Sequence, residues 1–158
     1  IDFTVNRVYG HTERCIKFII CISCYTCYTC SIYMFSVTVI YLNSVVAGIC
    51  YEDIFIHEKR TFLQSVAHAT GFTEDSYCGI ELDLDVIENA TSSASSPVGI
   101  TLAHARQYIN FTATDSKVAY LHICEGATQL ADGRSGYHTG KMISYLVTDF
   151  VKAMFTSR

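Results

Sequence analysis

The stretch Gly79-Ile-Glu-Leu-Asp-Leu-Asp-Val-Ile-Glu-Asn-Ala-Thr-Ser-Ser-Ala-Ser-Ser-Pro97 decides how the rest of the chain is interpreted. Its first part alternates aliphatic side chains with the carboxylates of Glu81, Asp83 and Asp85. Because alternate residues of an extended strand point to the same side, the pattern predicts a strand over 79–85 with three carboxylates on one face. Such crowding is costly unless a cation compensates it, and hard oxygen ligands suit Mg²⁺, Mn²⁺ or Ca²⁺. The stretch therefore predicts half of a metal centre, followed by a serine-rich loop.

Length and composition set the limits on the kind of protein. The chain has 158 residues, half of them hydrophobic, which is enough for one domain with its own core. The net charge of −4 gives no basic surface, so nucleic acid is not expected as a partner. A small molecule is the expected partner.

The first 45 residues differ in composition from the remainder. No charged residue lies between Phe18 and Tyr51, and Cys, Tyr, Ser, Thr and Ile dominate there. We expect a boundary that separates an unassigned Cys/Tyr-rich leader, 1–45, from a domain over 46–158. The segment 18–42 is long enough for a membrane-spanning helix, but its β-branched and aromatic content favours strands, so no membrane partner is expected. A signal peptide fits poorly because no initiating Met or compact cleavage site is present.

Four cysteines in this leader follow each other at three-residue spacing: Cys21, Cys24, Cys27 and Cys30. Such a run is typical of an iron–sulfur or zinc site. It lacks the Cys-Pro and glycine residues that accompany cluster-binding runs, so we favour a segment without a ligand. The other four cysteines are scattered, and no disulfide framework is expected.

From residue 51 onward the pattern becomes regular. It predicts helices over 57–71, 101–113 and 138–155 and a second strand over 118–124. Gly71 is placed to end the first helix and Thr101 to cap the second. This alternation predicts parallel strands covered by helices, with ligands at the carboxyl ends of the strands. At that edge Asp83 and Asp85 would lie close to Glu125, which follows the second strand.

These segments together resemble the C-terminal half of the arginase/ureohydrolase family, and above all its formimidoylglutamase branch. The resemblance is carried by the acidic strand and by residues 92–97, 103–107, 120–127 and 143–150, and it covers about 46–158. It implies a three-layer αβα fold with a parallel sheet, of which the chain holds the C-terminal part, and a cytoplasmic location.

The resemblance also implies a role for each matching residue. Asp83 and Asp85 match one pair of manganese-ligating aspartates, and Glu125 matches the acid that holds the substrate's amidinium or guanidinium group. Ser96 matches a loop hydroxyl near the substrate. Glu81, which stands where the family has Ser, and His122 are expected to support the ligands by hydrogen bonding. Four other histidines fall on predicted helices and are expected to be exposed: His57, His68, His104 and His138.

The implied reaction is hydrolysis of a C–N bond at an amidine carbon by a binuclear Mn²⁺ site, most closely N-formimidoyl-L-glutamate to glutamate and formamide. Three alternatives stay open: an arginase- or agmatinase-type activity, a non-enzymatic membrane or metal-binding protein that uses 18–42, and an inactive relic. The family's other metal ligands, in an Asp-Ala-His-x-Asp motif and a further His, do not occur here. We therefore expect this chain alone to be inactive, and an uncovered sheet edge to favour homo-oligomers.

Overall fold

A computed structural model describes residues 3–6, 18–26, 33–41, 44–73, 77–92, 94–115 and 117–156, and up to residue 48 only the backbone is described. The strands are β1 Phe3–Asn6, β2 Phe18–Thr26, β3 Tyr33–Tyr41, β4 Ser44–Cys50, β5 Cys78–Asp83 and β6 Val118–Cys124. The helices are α1 Tyr51–Phe55, α2 Phe62–Gly71, α3 Leu102–Asp115 and α4 Thr139–Thr156, and a 3₁₀ turn covers Leu84–Val86. The chain is thus a mixed α/β protein.

The six strands form one sheet in the order β1-β6-β5-β2-β3-β4. Strand β5 runs parallel to both β6 and β2, which confirms the parallel relation predicted for the two C-terminal strands. The sheet as a whole is mixed, because β1 is antiparallel to β6 and β2, β3 and β4 are successively antiparallel. The prediction of a parallel sheet is therefore wrong for the outer strands β1, β3 and β4.

The described parts of the uncharged segment 18–42 form β2 and β3, as its β-branched and aromatic content predicts. Within the described ranges, no helix has the length and apolar character needed to cross a membrane. The hypothesis of a cysteine-bound cluster concerns side chains outside the described residues. The composition change near residue 46 falls inside β4.

The register between β5 and β6 separates two faces of the sheet. Glu81 pairs with His122 and Asp83 with Cys124, and these residues alternate with aliphatic ones. The aliphatic face is fully buried and consists of Ile80, Leu82, Leu121 and Ile123. The other face is half-exposed, because Glu81 and His122 each retain 27% of their side-chain exposure. Only one face of this strand pair therefore belongs to the core.

The buried face packs against a layer of helices. Helix α3 contacts β5, and it also contacts α2 on one side and α4 on the other. The fully buried Tyr108 of α3 donates a hydrogen bond from its hydroxyl to the carbonyl oxygen of Glu81, at 3.2 Å. On the outside, Arg106 of α3 forms a two-pronged ion pair with Asp149 of α4, at 2.6 and 3.0 Å. These contacts fix α3 against the strand that leads to the acidic residues.

Local signals set the helix ends. Thr101 accepts a hydrogen bond from the His104 amide at 3.2 Å, so the predicted cap of α3 is confirmed, and α2 ends at Gly71 as predicted. The start of α2 differs, because the helix begins at Phe62 rather than at residue 57. Thr61 and Gln64 form a reciprocal capping box there, which favours a helix start at that point.

Candidate functional site

The acidic strand ends two residues earlier than the alternating pattern predicts. Strand β5 stops at Asp83, whose Oδ1 accepts a hydrogen bond from the Asp85 amide at 2.8 Å. An aspartate that bonds the backbone two residues ahead offers an alternative to the strand ladder, so the chain turns there. Asp85 therefore lies in the 3₁₀ turn, and its placement on the strand face with Glu81 and Asp83 is wrong.

The turn buries Asp85 under the loop that follows. Its side chain is 8% exposed, and its Oδ1 accepts a hydrogen bond from the Ala94 amide at 3.2 Å. The loop is closed at its base, where the Ile100 amide donates to the Val86 carbonyl at 2.8 Å and the Glu88 amide donates to the Ile100 carbonyl at 3.0 Å. The serine-rich loop thus begins and ends beside the aspartates.

Glu125 lies at the same edge of the sheet. It follows Cys124, the register partner of Asp83, so the carboxyl ends of the two strands meet as predicted. Its backbone has φ of 63°, a left-handed conformation that is uncommon for a residue with a side chain and is concentrated at functional sites. The next residue, Gly126, bridges to Ser92 of the loop, and the Ala127 amide donates to the Thr91 carbonyl at 3.0 Å. Two backbone links therefore tie the Glu125 segment to the loop above Asp85.

Ser96 lies in this loop and is half-buried. Its Oγ accepts a hydrogen bond from the Val98 amide at 3.1 Å, which shapes the turn around Pro97. The hydroxyl thus stabilises the loop whose amide at Ala94 bonds Asp85.

Glu81 and His122 form a separate cluster on the half-exposed face. Glu81 accepts a hydrogen bond from the Tyr120 hydroxyl at 2.9 Å through one carboxylate oxygen, and its other oxygen lies 3.1 Å from Nδ1 of His122. The sequence pattern does not predict the role of Tyr120. The one related feature in the sequence is Gly79, which pairs with Tyr120 across the two strands and leaves room for the tyrosine ring, because a side chain at position 79 would collide with it.

The described aspartates are the type of ligand that a hard cation prefers, but they are too few to hold one. Asp83 and Asp85 supply carboxylate oxygens of the type that Mn²⁺ and Mg²⁺ prefer. One oxygen of each already accepts a backbone amide hydrogen bond, which orients the carboxylate in the way expected of a supported ligand. Among the residues that the structure describes, no group of three or more His, Cys, Asp or Glu could hold a metal ion. A complete site would need further ligands.

The base of the loop gives a first testable prediction. A Cβ at position 99 would collide with the Val86 carbonyl group, so Gly99→Ala has to open the loop closure. We expect a loss of about 1–3 kcal/mol in the free energy of unfolding, measured by urea denaturation. Gly140→Ala is the matched control, because nothing lies within 4 Å of that position in α4. A stability change for Gly99→Ala equal to that of Gly140→Ala would contradict the described closure.

Comparison with known proteins identifies no relative. No protein-family model, no curated protein and no solved structure matches the chain.

Proposed function

We propose that this chain carries part of the active site of a manganese-dependent hydrolase that cleaves a C–N bond of an amidine or guanidine substrate. The observation that supports the proposal most is the position of Asp83, Asp85 and Glu125 at the carboxyl ends of two neighbouring parallel strands, where one loop is linked to Asp85 and to the segment after Glu125. Carboxyl ends of parallel strands are where ligands bind in α/β folds. The same residues carry the resemblance to the arginase/ureohydrolase family.

In this proposal the acids have different tasks. Asp83 and Asp85 would hold metal, and Glu125 would bind the cationic amidinium group of the substrate through charge-assisted hydrogen bonds. Two Mn²⁺ ions, when bound, lower the pKa of water and stabilise charge that develops during hydrolysis. The loop over 87–100 would exclude bulk water from the buried Asp85 side, which strengthens electrostatic interactions there.

The proposed fold is the three-layer arginase type. Helices α2 and α3 contact the sheet and α4 packs against α3, and the half-exposed face with Glu81 and His122 is the surface that a second helical layer would cover. A cytoplasmic location is proposed from the same family resemblance.

The substrate assignment predicts a specific product. Protein purified from its native source and supplied with Mn²⁺ is expected to release formamide from N-formimidoyl-L-glutamate, detected by coupled assay of glutamate and by mass spectrometry of formamide. Arginine and agmatine serve as parallel substrates. Release of urea from either one, without formamide, would assign the site to another branch of the family. Hydrolysis of none of the three would refute the proposal.

The isolated 158-residue chain is expected to behave differently. It should show no hydrolysis of these substrates and should not bind two Mn²⁺ ions, because two described aspartates supply too few ligands for a binuclear site. Isothermal titration calorimetry with MnCl₂ measures the stoichiometry. Binding of two equivalents would show that the chain contains a complete centre.

A further inference from the structure

A second surface feature lies between α1, α2 and the first turn of α3. It is a cavity of about 440 Å³ that is open to solvent, in the size range of small-molecule sites. Its walls contain none of the acids of the proposed hydrolase site. Aromatic rings form one wall, and the charged connection between α1 and α2 forms another.

The aromatic wall exposes the half-buried rings of Phe55 and His104, which pack on the buried ring of Phe62. The His104 ring lies 5.3 Å from the Phe55 ring and 5.0 Å from the Phe62 ring, centre to centre, and the two phenylalanine rings are 6.3 Å apart. His104 is half-buried, which corrects the prediction that it is exposed. Burial lowers the pKa of its imidazole, so the ring is neutral near pH 7 and acts as an aromatic surface. Ring clusters of this kind favour flat ligands through offset or edge contacts.

The charged wall carries Glu58, Lys59 and Arg60. The Lys59 ammonium is already compensated, because its Nζ lies 2.7 Å from Oδ1 of Asp53. Arg60 is half-buried, and within the described part of the chain it makes no hydrogen bond or ion pair. The pKa of Asp53 is lowered mainly by its hydrogen bond with Lys59, and the charge of Arg60 contributes only a small part of this effect. A guanidinium group presents a planar fork of donors that matches a carboxylate. Arg60 is therefore the group that would recognise an anion, whereas Glu58 would disfavour a second negative charge.

We propose that this cavity binds a planar aromatic monocarboxylate, with its ring against Phe55 and His104 and its carboxylate on Arg60. The two accessible rings favour a flat ligand, the cavity volume accommodates one or two fused rings, and Arg60 favours a negative charge. The site is independent of the proposed hydrolase activity, and its test uses no enzymatic assay.

In the test, the purified chain is titrated with 2-naphthoate. Isothermal titration calorimetry measures the affinity, and ¹H–¹⁵N correlation spectra locate the bound ligand. The uncharged isostere naphthalene-2-carboxamide is the ligand control. We expect naphthoate to bind with a dissociation constant below about 1 mM and to shift the amides around residues 54–64 and 104. Arg60→Gln should weaken naphthoate binding at least about tenfold and leave carboxamide binding unchanged.

Two further variants separate recognition from folding. Phe55→Leu keeps an apolar side chain but removes a ring, so it should weaken both ligands. Lys141→Gln removes an exposed cation of α4, remote from the cavity lining, and should change neither. Equal naphthoate affinity of Arg60→Gln and the unaltered chain would overturn the proposal. Absence of binding at several millimolar, or shifts confined to other surfaces, would overturn it as well.

Discussion

Asp85→Asn is introduced into protein produced with the full native sequence, and it is expected to abolish formamide release. The amide keeps the size of the side chain, and its carbonyl oxygen can still accept the hydrogen bond from Ala94, so the loop should remain in place. The substitution removes the negative charge that a Mn²⁺ ligand has to supply. Loss of a partner that merely supports a metal ligand costs about 10–100-fold in affinity or activity, so loss of a ligand should exceed about 100-fold in kcat/KM.

The control for this experiment is Asp132→Asn. Asp132 is an exposed acid at the tip of the hairpin after β6, where it bonds Arg134 at 2.7 Å. Its removal takes away the same charge without touching the site, and kcat/KM should stay within about twofold of the unaltered protein. Metal content measured by atomic emission should fall only for Asp85→Asn. Full activity and full Mn²⁺ content in Asp85→Asn, with an unchanged thermal midpoint, would exclude Asp85 as a ligand.

The parts of the fold that sequence predicts are those set by nearby residues. Strand β6 occupies 118–124 as predicted, because a short apolar run there is bounded by polar and turn residues. Thr101 and Gly71 mark helix ends through contacts within one turn. The amphipathic stripe of α4 buries Ile143, Leu146 and Phe150, as its spacing requires. Each of these features needs only local backbone chemistry.

Other features depend on pairing that spacing alone cannot reveal. Alternation predicts that Asp85 continues the strand, but the side chain of Asp83 competes for the Asp85 amide and ends it. Tyr120 reaches Glu81 only because the register of β5 and β6 places Gly79 opposite it. The place of β1 at the edge, beside β6, joins segments more than a hundred residues apart. Side-chain competition for a backbone amide and long-range strand register are therefore the two causes of the differences from the prediction.

The candidate site shows the same division. The meeting of Asp83 and Glu125 at one edge follows from parallel strands and was predictable. The burial of Asp85 and the left-handed backbone of Glu125 were not, because neither follows from the spacing of residues in the sequence. The site is thus defined as much by the loop as by the acidic strand.

The core packing beneath this site can be tested at Leu82, which lies between Glu81 and Asp83 in β5. Leu82 is fully buried in β5, which is paired on both sides by β6 and β2. Leu82→Ala is expected to lower the free energy of unfolding by about 3–5 kcal/mol, from lost burial and from the cavity left between sheet and helices. A domain of this size has a total of only about 5–15 kcal/mol, so the variant should lose a large part of its stability.

Urea denaturation of Leu82→Ala and Leu63→Ala measures the difference directly. Leu63 lies on α2 with 39% of its surface exposed, so the same truncation there should cost less than about 1 kcal/mol. Because Asp83 follows Leu82 directly, a collapsed core at this point also shifts the carboxyl end of β5 relative to Glu125. The stability loss should therefore be accompanied by weaker Mn²⁺ retention in the native-source protein, which Leu63→Ala should leave unchanged. Equal changes in the free energy of unfolding for the two variants would mean that Leu82 does not pack in a close-packed core. Core packing could then not explain the position of Asp83.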